Sequence, residues 1–486
     1  TNVFEELGDD KWYDAILLNH FDWKMGDILE VNIDKLRKRY PDGFDAQAAV
    51  HRDLDAERKV LVVVSACAGV TDQLVRLSQA IERRDEAAIG KIKETLIDKH
   101  KMEAQTLTLS AEEKEQLERF NGEFERCVNG ASILHEVTPR THDRLLSFGE
   151  LWSSVLTLSA IRQTGQSISW LDARTVITTD NAYNAAHPQT DALPLQVQQK
   201  IIPALERGIV ITQGFLGATR DGHTTTLGRG GSDYSASLLG ASLKADEIQI
   251  WTDVDGILTT DPRLVHVARQ LTHVSFDEAT ELSQFGAKVL HPKTVLPAIQ
   301  KNIPIRVLNT FNPSNAGTCI TREAIKGKGI VRSIAFKRGL EVMTVRFNDP
   351  EQKSPILAEI FARLQEAGTD VELVNTTERG IVLAAASNER WRVFCDHLPA
   401  SWHITFQTGR ALCALVGHLI AEDFSNLTRA LSVMQSEAIH VEAIAQGGSG
   451  HHWAVLLREH QLTPAVRLLH ADFFENRASG QTVAVA

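Results

Sequence analysis

The sequence is short of cysteine. Cys67, Cys127, Cys319, Cys395 and Cys413 are the only five in 486 residues, and they are widely scattered. That spacing excludes a disulfide-stapled scaffold and a cysteine metal knuckle, and it fits a reducing cytoplasm. Positive charge is also short: 51 Lys+Arg stand against 62 Asp+Glu, a net charge of −11. A nucleic-acid or anionic-membrane partner needs a basic face, so neither is expected. No apolar run approaches the ~18 residues of a membrane span. The longest candidate, Ala411 to Ala421, is brief and contains His418. The first ten residues are acidic, which is not the pattern of a secretory signal. What is present is a hydrophobic fraction of 43%, enough to build real cores. The length suggests roughly three domains.

The chain changes character along its length. Within residues 1–55, Glu5 to Leu18 and Gly26 to Tyr40 read as helices; Leu29, Ile33, Leu36 and Tyr40 share one face, and Pro41 stops the second helix. Val60 to Val64 is a β-branched run of the kind buried on both faces of a sheet. A long helical stretch is expected over 72–135 and a further helix over 141–163. Strands are expected at Ile168 to Leu171, Gly208 to Thr212 and Ile248 to Thr252, with a helix of small residues from Ser235 to Leu243. Strands alternating with helices imply an αβα sandwich around a largely parallel sheet. After residue 330 a weak repeat emerges. Leu357 to Gln365 leads to Val371–Val374, and seventy residues later Leu427 to Gln435 leads to Val441–Ile444. Strand-like runs at Met343 to Phe347 and Leu412 to Val416 precede the two copies, so two small α+β domains are expected.

Four motifs carry the chemistry. Thr226-Leu-Gly228-Arg229-Gly230-Gly231-Ser232-Asp233 is a Gly-rich loop opening a helix. Its glycines let the backbone approach an anion, the helix start offers free N–H groups, and Arg229 suits a carboxylate or phosphate. Spacing alone equally allows an ordinary loop capped by Ser232 or Asp233. It is not a Walker A loop, because no Gly-Lys-Ser/Thr follows. Trp251-Thr252-Asp253-Val254-Asp255-Gly256 ends a strand in polar residues, where open α/β sheets gather ligands; by itself it is also a plain turn. Ile257 at the third ligand position excludes a calcium loop. Phe148-Gly149-Glu150 puts a glycine inside a helical pattern at a cost of about 1 kcal/mol, which calls for a packing or ligand reason. Glu150 alone reads as a solvated helix charge. In Phe285-Gly-Ala-Lys288-Val289-Leu-His-Pro292, Lys288 either reaches a phosphate or is a surface lysine. His451-His452 has no second ligand pair nearby, and no metal site is expected.

Together with Ser65-Ala-Cys-Ala-Gly-Val-Thr71 and Asp261-Pro-Arg263, these motifs occur in the order found in aspartokinases. Residues 58–486 resemble that family. The resemblance implies an amino-acid-kinase domain over 58–328 and two regulatory ACT domains over 330–405 and 410–486, the last strand shared with the first of them. It implies phosphorylation of the β-carboxylate of L-aspartate by Mg2+ and ATP, the first step toward lysine, threonine and methionine. Carried over position by position, Thr71, Glu150, Arg229, Gly230, Gly231 and Ser232 match the aspartate-binding residues. Asp233 and Arg229 match catalytic positions. Thr252, Asp253, Leu258, Arg263, Lys288 and Val289 match the nucleotide positions. Ile356, Leu357, Asp370 and Glu372 match effector positions for lysine or threonine. A homodimer or homotetramer through the ACT domains is implied.

Two departures accompany the resemblance. Leu258 stands where many members have Tyr near the adenine. The family's opening Lys-Phe-Gly-Gly-Thr-Ser strand has no counterpart before Val60, so turnover is expected to be impaired. Residues 1–55 instead resemble the tail of a MazG-type nucleotide pyrophosphohydrolase, through Glu5-Glu6-Leu-Gly-Asp9, Trp12-Tyr13 and Asn32 to Phe44. Glu6 and Asp9 match one half of its magnesium motif. Two other readings follow: a non-catalytic amino-acid sensor built on the ACT pair, and pyrophosphate release from a nucleotide by the N-terminal piece.

Overall fold

The computed structural model describes residues 59–286, 292–324, 329–347, 349–399 and 401–475. The two helices and the pyrophosphohydrolase resemblance of residues 1–55 lie outside them, as do Lys288 and Val289. In chain order the elements begin with β1 (Leu61–Val64), α1 (Val70–Glu82), α2 (Glu86–Gln105), α3 (Ala111–Leu134), α4 (Pro139–Leu146) and α5 (Phe148–Arg162). There follow β2 (Ile168–Leu171), β3 (Ile209–Gln213), β4 (Leu216–Ala218), β5 (Thr224–Thr226), α6 (Gly231–Leu243) and β6 (Ile248–Thr252). Next come β7 (His273–Ser275), α7 (Phe276–Gln284), α8 (Pro292–Lys301), β8 (Ile305–Asn309) and β9 (Thr318–Thr321). The described residues form two compact units, one made of residues 59–255 with 293–316, the other of residues 256–286 with the described residues from 317 to 475. The segment Gly256–Pro292, which the sequence reading groups with the kinase domain, therefore clusters with the C-terminal repeats.

In the first unit β1 and β2 both pair in parallel with β3, and β6 pairs in parallel with β8. The alternation of β1 is visible in its packing. Leu61 and Val63 meet one layer, built from Val197, Ile201, Leu238 and Leu239, while Val62 and Val64 meet Ile161 and Ile211 on the other face. The helices α1 to α5 share a second core in which Phe124 lies edge-on to both Phe148 and Trp152. The expected helix over 72–135 is three helices. Arg84 adopts a left-handed backbone, and Asp85 then caps α2 by accepting from the Ala88 N–H at 3.0 Å. Ser110 and Glu113 form a reciprocal capping box that starts α3. The expected helix over 141–163 is also broken, at Ser147, into α4 and α5.

The second unit contains β7, parallel to β9, and a six-stranded antiparallel sheet. Its first repeat is β10 (Ser333–Arg346), α9 (Lys353–Ala367), β11 (Leu373–Thr376), β12 (Gly380–Ala386) and α10 (Glu389–Asp396). The second is β13 (His403–Val416), α11 (Phe424–Ser436), β14 (Val441–Gln446), β15 (His452–Arg458) and α12 (Glu459–His470). Both copies are βαββα. The strand order β11-β12-β10-β13-β15-β14 joins them through β10 and β13, so the repeats share one sheet. The seventy-residue offset survives in packing: Ile360 and Leu364 of α9 and Ala430 and Met434 of α11 are all buried against their strands. The apolar run from Ala411 is the end of β13, and among the described residues no helix is long and apolar enough to cross a membrane.

Candidate functional site

A cavity of about 480 Å³ in the first unit gathers residues from five separate stretches of the chain. The turn after β1 contributes Ser65 and Ala66, and the start of α1 Thr71; α5 contributes Glu150; the Gly-rich loop and the first turn of α6 contribute Gly228 to Asp233. His142, Leu146, Asn184, Phe215 and Thr226 complete the wall. All the sequence candidates for aspartate recognition therefore line one space.

Local backbone chemistry explains the assembly. Gly228 and Gly230 sit at φ 77° and 70°, left-handed values that side chains rarely adopt, and Gly230 turns the chain into α6. The expected start of that helix at Ser235 moves back to Gly231, so Ser232 and Asp233 occupy its first turn. A side chain at Gly149 would place its Cβ 2.8 Å from the Cβ of Ala66. That close approach is the packing reason for glycine there, and it brings the next residue, Glu150, under the turn after β1.

Glu150 is only 3% exposed. Its Oε1 accepts the Ala66 N–H at 3.2 Å, while Oε2 is buried with no hydrogen-bond partner. Burial pushes its pKa up to about 8. It is not a solvated helix charge but a buried acceptor with one oxygen unused. Burial likewise lifts the Asp233 carboxyl to about 6. Arg229 is exposed, and its guanidinium has no ion pair or hydrogen bond among the described residues. The thiol of Cys67, beside this turn, is pushed up to about 12 by burial and then by Glu103, which leaves it a poor nucleophile.

Sequence reasoning missed the network that holds the far wall. Asp143 is fully buried and accepts from the Thr226 N–H at 2.9 Å, the Thr226 hydroxyl at 2.7 Å and the Asn184 N–H at 3.0 Å. His142 Nδ1 lies 2.8 Å from Asn184 Oδ1. Asn184 and Phe215 both have positive φ, 71° and 65°. For Asn that preference is a readable signal within Asn181-Ala-Tyr-Asn184; for Phe215 the sequence offers none.

The nucleotide candidates are divided between the two units. Thr252 ends β6 in the first unit, its carbonyl accepting from the Thr310 N–H at 2.8 Å and its hydroxyl donating to Asp253 at 3.1 Å. Asp253 is exposed. Asp255 is held by Asn309 and Asn312, at 2.8 and 3.2 Å, and thus serves the turn. Leu258 and Arg263 belong to the second unit, where Arg263 forks onto Asp261 at 3.1 and 2.8 Å. Among the effector positions, Ile356 is buried in the first repeat's core and Leu357 half-buried beside it. Asp370 is exposed, and Glu372 accepts the Lys337 ammonium at 2.5 Å. Pro355 falls in the first turn of α9, where its missing N–H costs nothing. His452 Nδ1 pairs with Glu281 at 2.5 Å, and His451 Nδ1 accepts the Leu419 N–H at 2.9 Å.

The chain belongs to the amino acid kinase family, whose model matches residues 41–309. Within that family the chain belongs to the aspartokinases. It is 32% identical over 427 residues to the lysine-sensitive aspartokinase 3 of Escherichia coli, covering 85% of this chain and 92% of the relative. It is 31% identical over 437 residues to the chloroplastic aspartokinase 3 of Arabidopsis thaliana, with 86% and 77% covered. E. coli aspartokinase III in complex with aspartate and ADP, in its R-state, superposes with a TM-score of 0.73 at 31% identity, covering 88% of this chain and 96% of that one. Its complex with lysine and aspartate, in the T-state, gives 0.71 at 32% identity, with 89% and 97% covered.

Proposed function

We propose that the 480 Å³ cavity of the first unit is where this aspartate kinase holds L-aspartate and transfers the γ-phosphoryl group of ATP to its β-carboxylate. The observation that carries the reading is that Glu150, whose buried Oε2 is unused, and the exposed Arg229 line the same space. An α-amino acid offers one ammonium and one carboxylate. Glu150 takes the ammonium and Arg229 grips the α-carboxylate, while Thr71 and Ser232 hydrogen-bond the remaining oxygens. The β-carboxylate then lies toward the N-terminus of α6, where backbone N–H groups and the helix dipole favour the negative charge of the reacting groups. The β-carboxylate oxygen attacks the γ-phosphorus as the bond to the bridging oxygen of ADP breaks. Catalysis rests on positioning and charge neutralisation rather than on a covalent intermediate.

Thr252 and Asp253 sit at the carboxyl end of β6, where open α/β sheets bind nucleotides, and ADP in the E. coli relative supports ATP as the donor. Among the described residues no group of three or more His, Cys, Asp or Glu could hold a metal alone. Mg2+ fits as an ion bound jointly by ATP phosphates and one carboxylate, for which Asp233 is the candidate. When bound it would neutralise phosphate charge. Lysine is the proposed effector, supported by the relative's lysine complex, and a dimer through the βαββα repeats the proposed assembly. The free cysteines suit a reducing cytoplasm. The test is turnover of aspartate and ATP with hydroxylamine trapping the acyl phosphate. Formation of the aspartyl hydroxamate supports the reading. Aspartate binding without any hydroxamate would make the protein a sensor instead.

A further inference from the structure

A second cavity of the first unit, about 340 Å³, has a different chemistry. Arg140, Arg144, Arg174, His223 and Thr224 line it, with no carboxylate in its wall. Arg140 and Arg144 are one turn apart on α4 and so share a face. Arg174 comes from the helical turn after β2, and His223 and Thr224 from the β4–β5 hairpin. Arg144 and Arg174 both donate to the Thr224 hydroxyl, at 3.4 and 3.3 Å, which fixes two guanidinium groups beside a single oxygen.

The charges are incompletely balanced. Arg144 pairs with Glu123 on α3 and stacks on the Phe148 ring, and Arg174 forks onto Asp172 at 2.9 and 2.7 Å. Arg140 has no such partner among the described residues, nor has the His223 ring. Burial, with Arg174 adding to it, holds the Arg144 guanidinium below its ordinary value. The cluster therefore retains at least one unneutralised guanidinium and several free donors, some in a partly buried setting where charge is weakly screened. The volume lies at the small end of the ~300–1,000 Å³ typical of small-molecule sites.

We propose that this cavity binds a phosphate group, either as inorganic phosphate or as the phosphoryl end of a small phosphorylated metabolite. Guanidinium groups match phosphate oxygens bidentately, and a dianion can satisfy Arg140 together with the outward N–H groups of Arg144 and Arg174. The site is separate from the aspartate cavity yet shares its frame. His142 on α4 and Thr226 on β5 line the aspartate cavity, whereas Arg140, Arg144 and Thr224 on the same elements line this one.

Inorganic phosphate and glycerol 3-phosphate are titrated separately into the full chain by calorimetry at low ionic strength. The variants are Arg140→Ala, Arg140→Glu and Arg229→Ala. Arg140 is exposed, so its substitution leaves the fold intact, and retained aspartate binding checks this. Arg140→Ala is expected to weaken phosphate binding roughly tenfold through loss of a charge-assisted contact, and Arg140→Glu to abolish it, with Arg229→Ala little changed. Tighter binding of glycerol 3-phosphate assigns the organic source; equal or tighter binding of inorganic phosphate assigns the ion. Phosphate affinity that survives both Arg140 variants, or that disappears in Arg229→Ala alone, overturns the proposal. So does the absence of any phosphate binding by the unaltered chain.

Discussion

The aspartate cavity and the effector positions hold similar residue types and treat them in opposite ways. In the cavity Glu150 keeps a buried oxygen without a partner, and Arg229 stands unpaired among the described residues. In the first βαββα repeat Glu372 is already paired with Lys337, and Ile356 is packed into the core. An unsatisfied buried polar group costs stability, so its persistence marks a place where a ligand completes the hydrogen bonding. By that measure the first unit is built to receive an amino acid. If the effector positions act as the resemblance implies, Glu372 must first exchange an internal partner for an external one.

The largest effect that would sharpen this comparison concerns neither set directly. No Lys-Phe-Gly-Gly run precedes Val60, and among the described residues β1 pairs with β3 alone. Replacing residues 1–57 with an aspartokinase N-terminus is expected to raise kcat by about 10²–10³, the usual worth of one preorganised electrostatic contact in the transition state. Aspartate affinity should barely move, because Glu150 and Arg229 lie outside the replaced segment. Equal turnover of the two proteins would show that the present chain supplies that transition-state contact from another residue.

Next in size is Arg229→Ala. The side chain is exposed and has no partner among the described residues, so the change leaves the fold alone and removes only the proposed grip on the α-carboxylate. A loss of about 3 kcal/mol, roughly a hundredfold in aspartate affinity by calorimetry, is expected. Unchanged affinity would move carboxylate recognition to another residue and dissolve the contrast with Glu372.

Glu150→Gln tests the other half through pH. With its pKa near 8, Glu150 is largely protonated at neutral pH in the ligand-free protein. An arriving ammonium favours the carboxylate, so aspartate binding should release a proton and tighten as pH rises toward 8. The variant should bind about tenfold more weakly, with the pH dependence lost. Stability carries the opposite sign. The native carboxyl holds its proton above the ordinary range, so the folded protein binds more protons than the unfolded chain between about 4.5 and 8. Its stability therefore falls as pH rises across that window, and Glu150→Gln should remove this fall in thermal unfolding scans. A variant with an unaltered pH profile would show that Glu150 faces no ammonium.

Much of this was legible in the residues, for identifiable reasons. The strand Ile168–Leu171 and the strand Ile248–Thr252 lie where the sequence put them, since their Ile, Trp and Thr residues favour a half-buried strand. The Gly-rich loop was legible because positive φ demands glycine. The helix breaks were partly so: Ser110 and Glu113 spell a capping box, but nothing in Leu146-Ser147-Phe148 announces the break at Ser147. The Asp143 network was out of reach, since its partners lie 41 and 83 residues away and hydrophobic periodicity carries no information about such pairings. The arginine cluster behind it was hidden for the same reason: Arg140, Arg174 and His223 meet only through the tertiary fold.

The smallest effect probes the effector side. Lys337 and Glu372 are 30% and 12% exposed, so their pair contributes only about 0.5–1 kcal/mol to stability. If lysine is the effector and Glu372 its ammonium partner, Lys337 occupies that carboxylate in the free protein and must be displaced. Lys337→Met keeps the aliphatic packing and removes the competing cation. It should lower the lysine concentration needed for half-maximal inhibition a few-fold, while lowering the melting temperature by a degree or so. Glu372→Gln should do the reverse, weakening lysine inhibition with a similarly small change in stability. The two together separate an effector contact from a structural ion pair. A purely structural pair would give the same small stability loss in both variants and leave the lysine response unmoved, and the effector's ammonium would then have to be sought at Asp370, the exposed carboxylate two residues earlier.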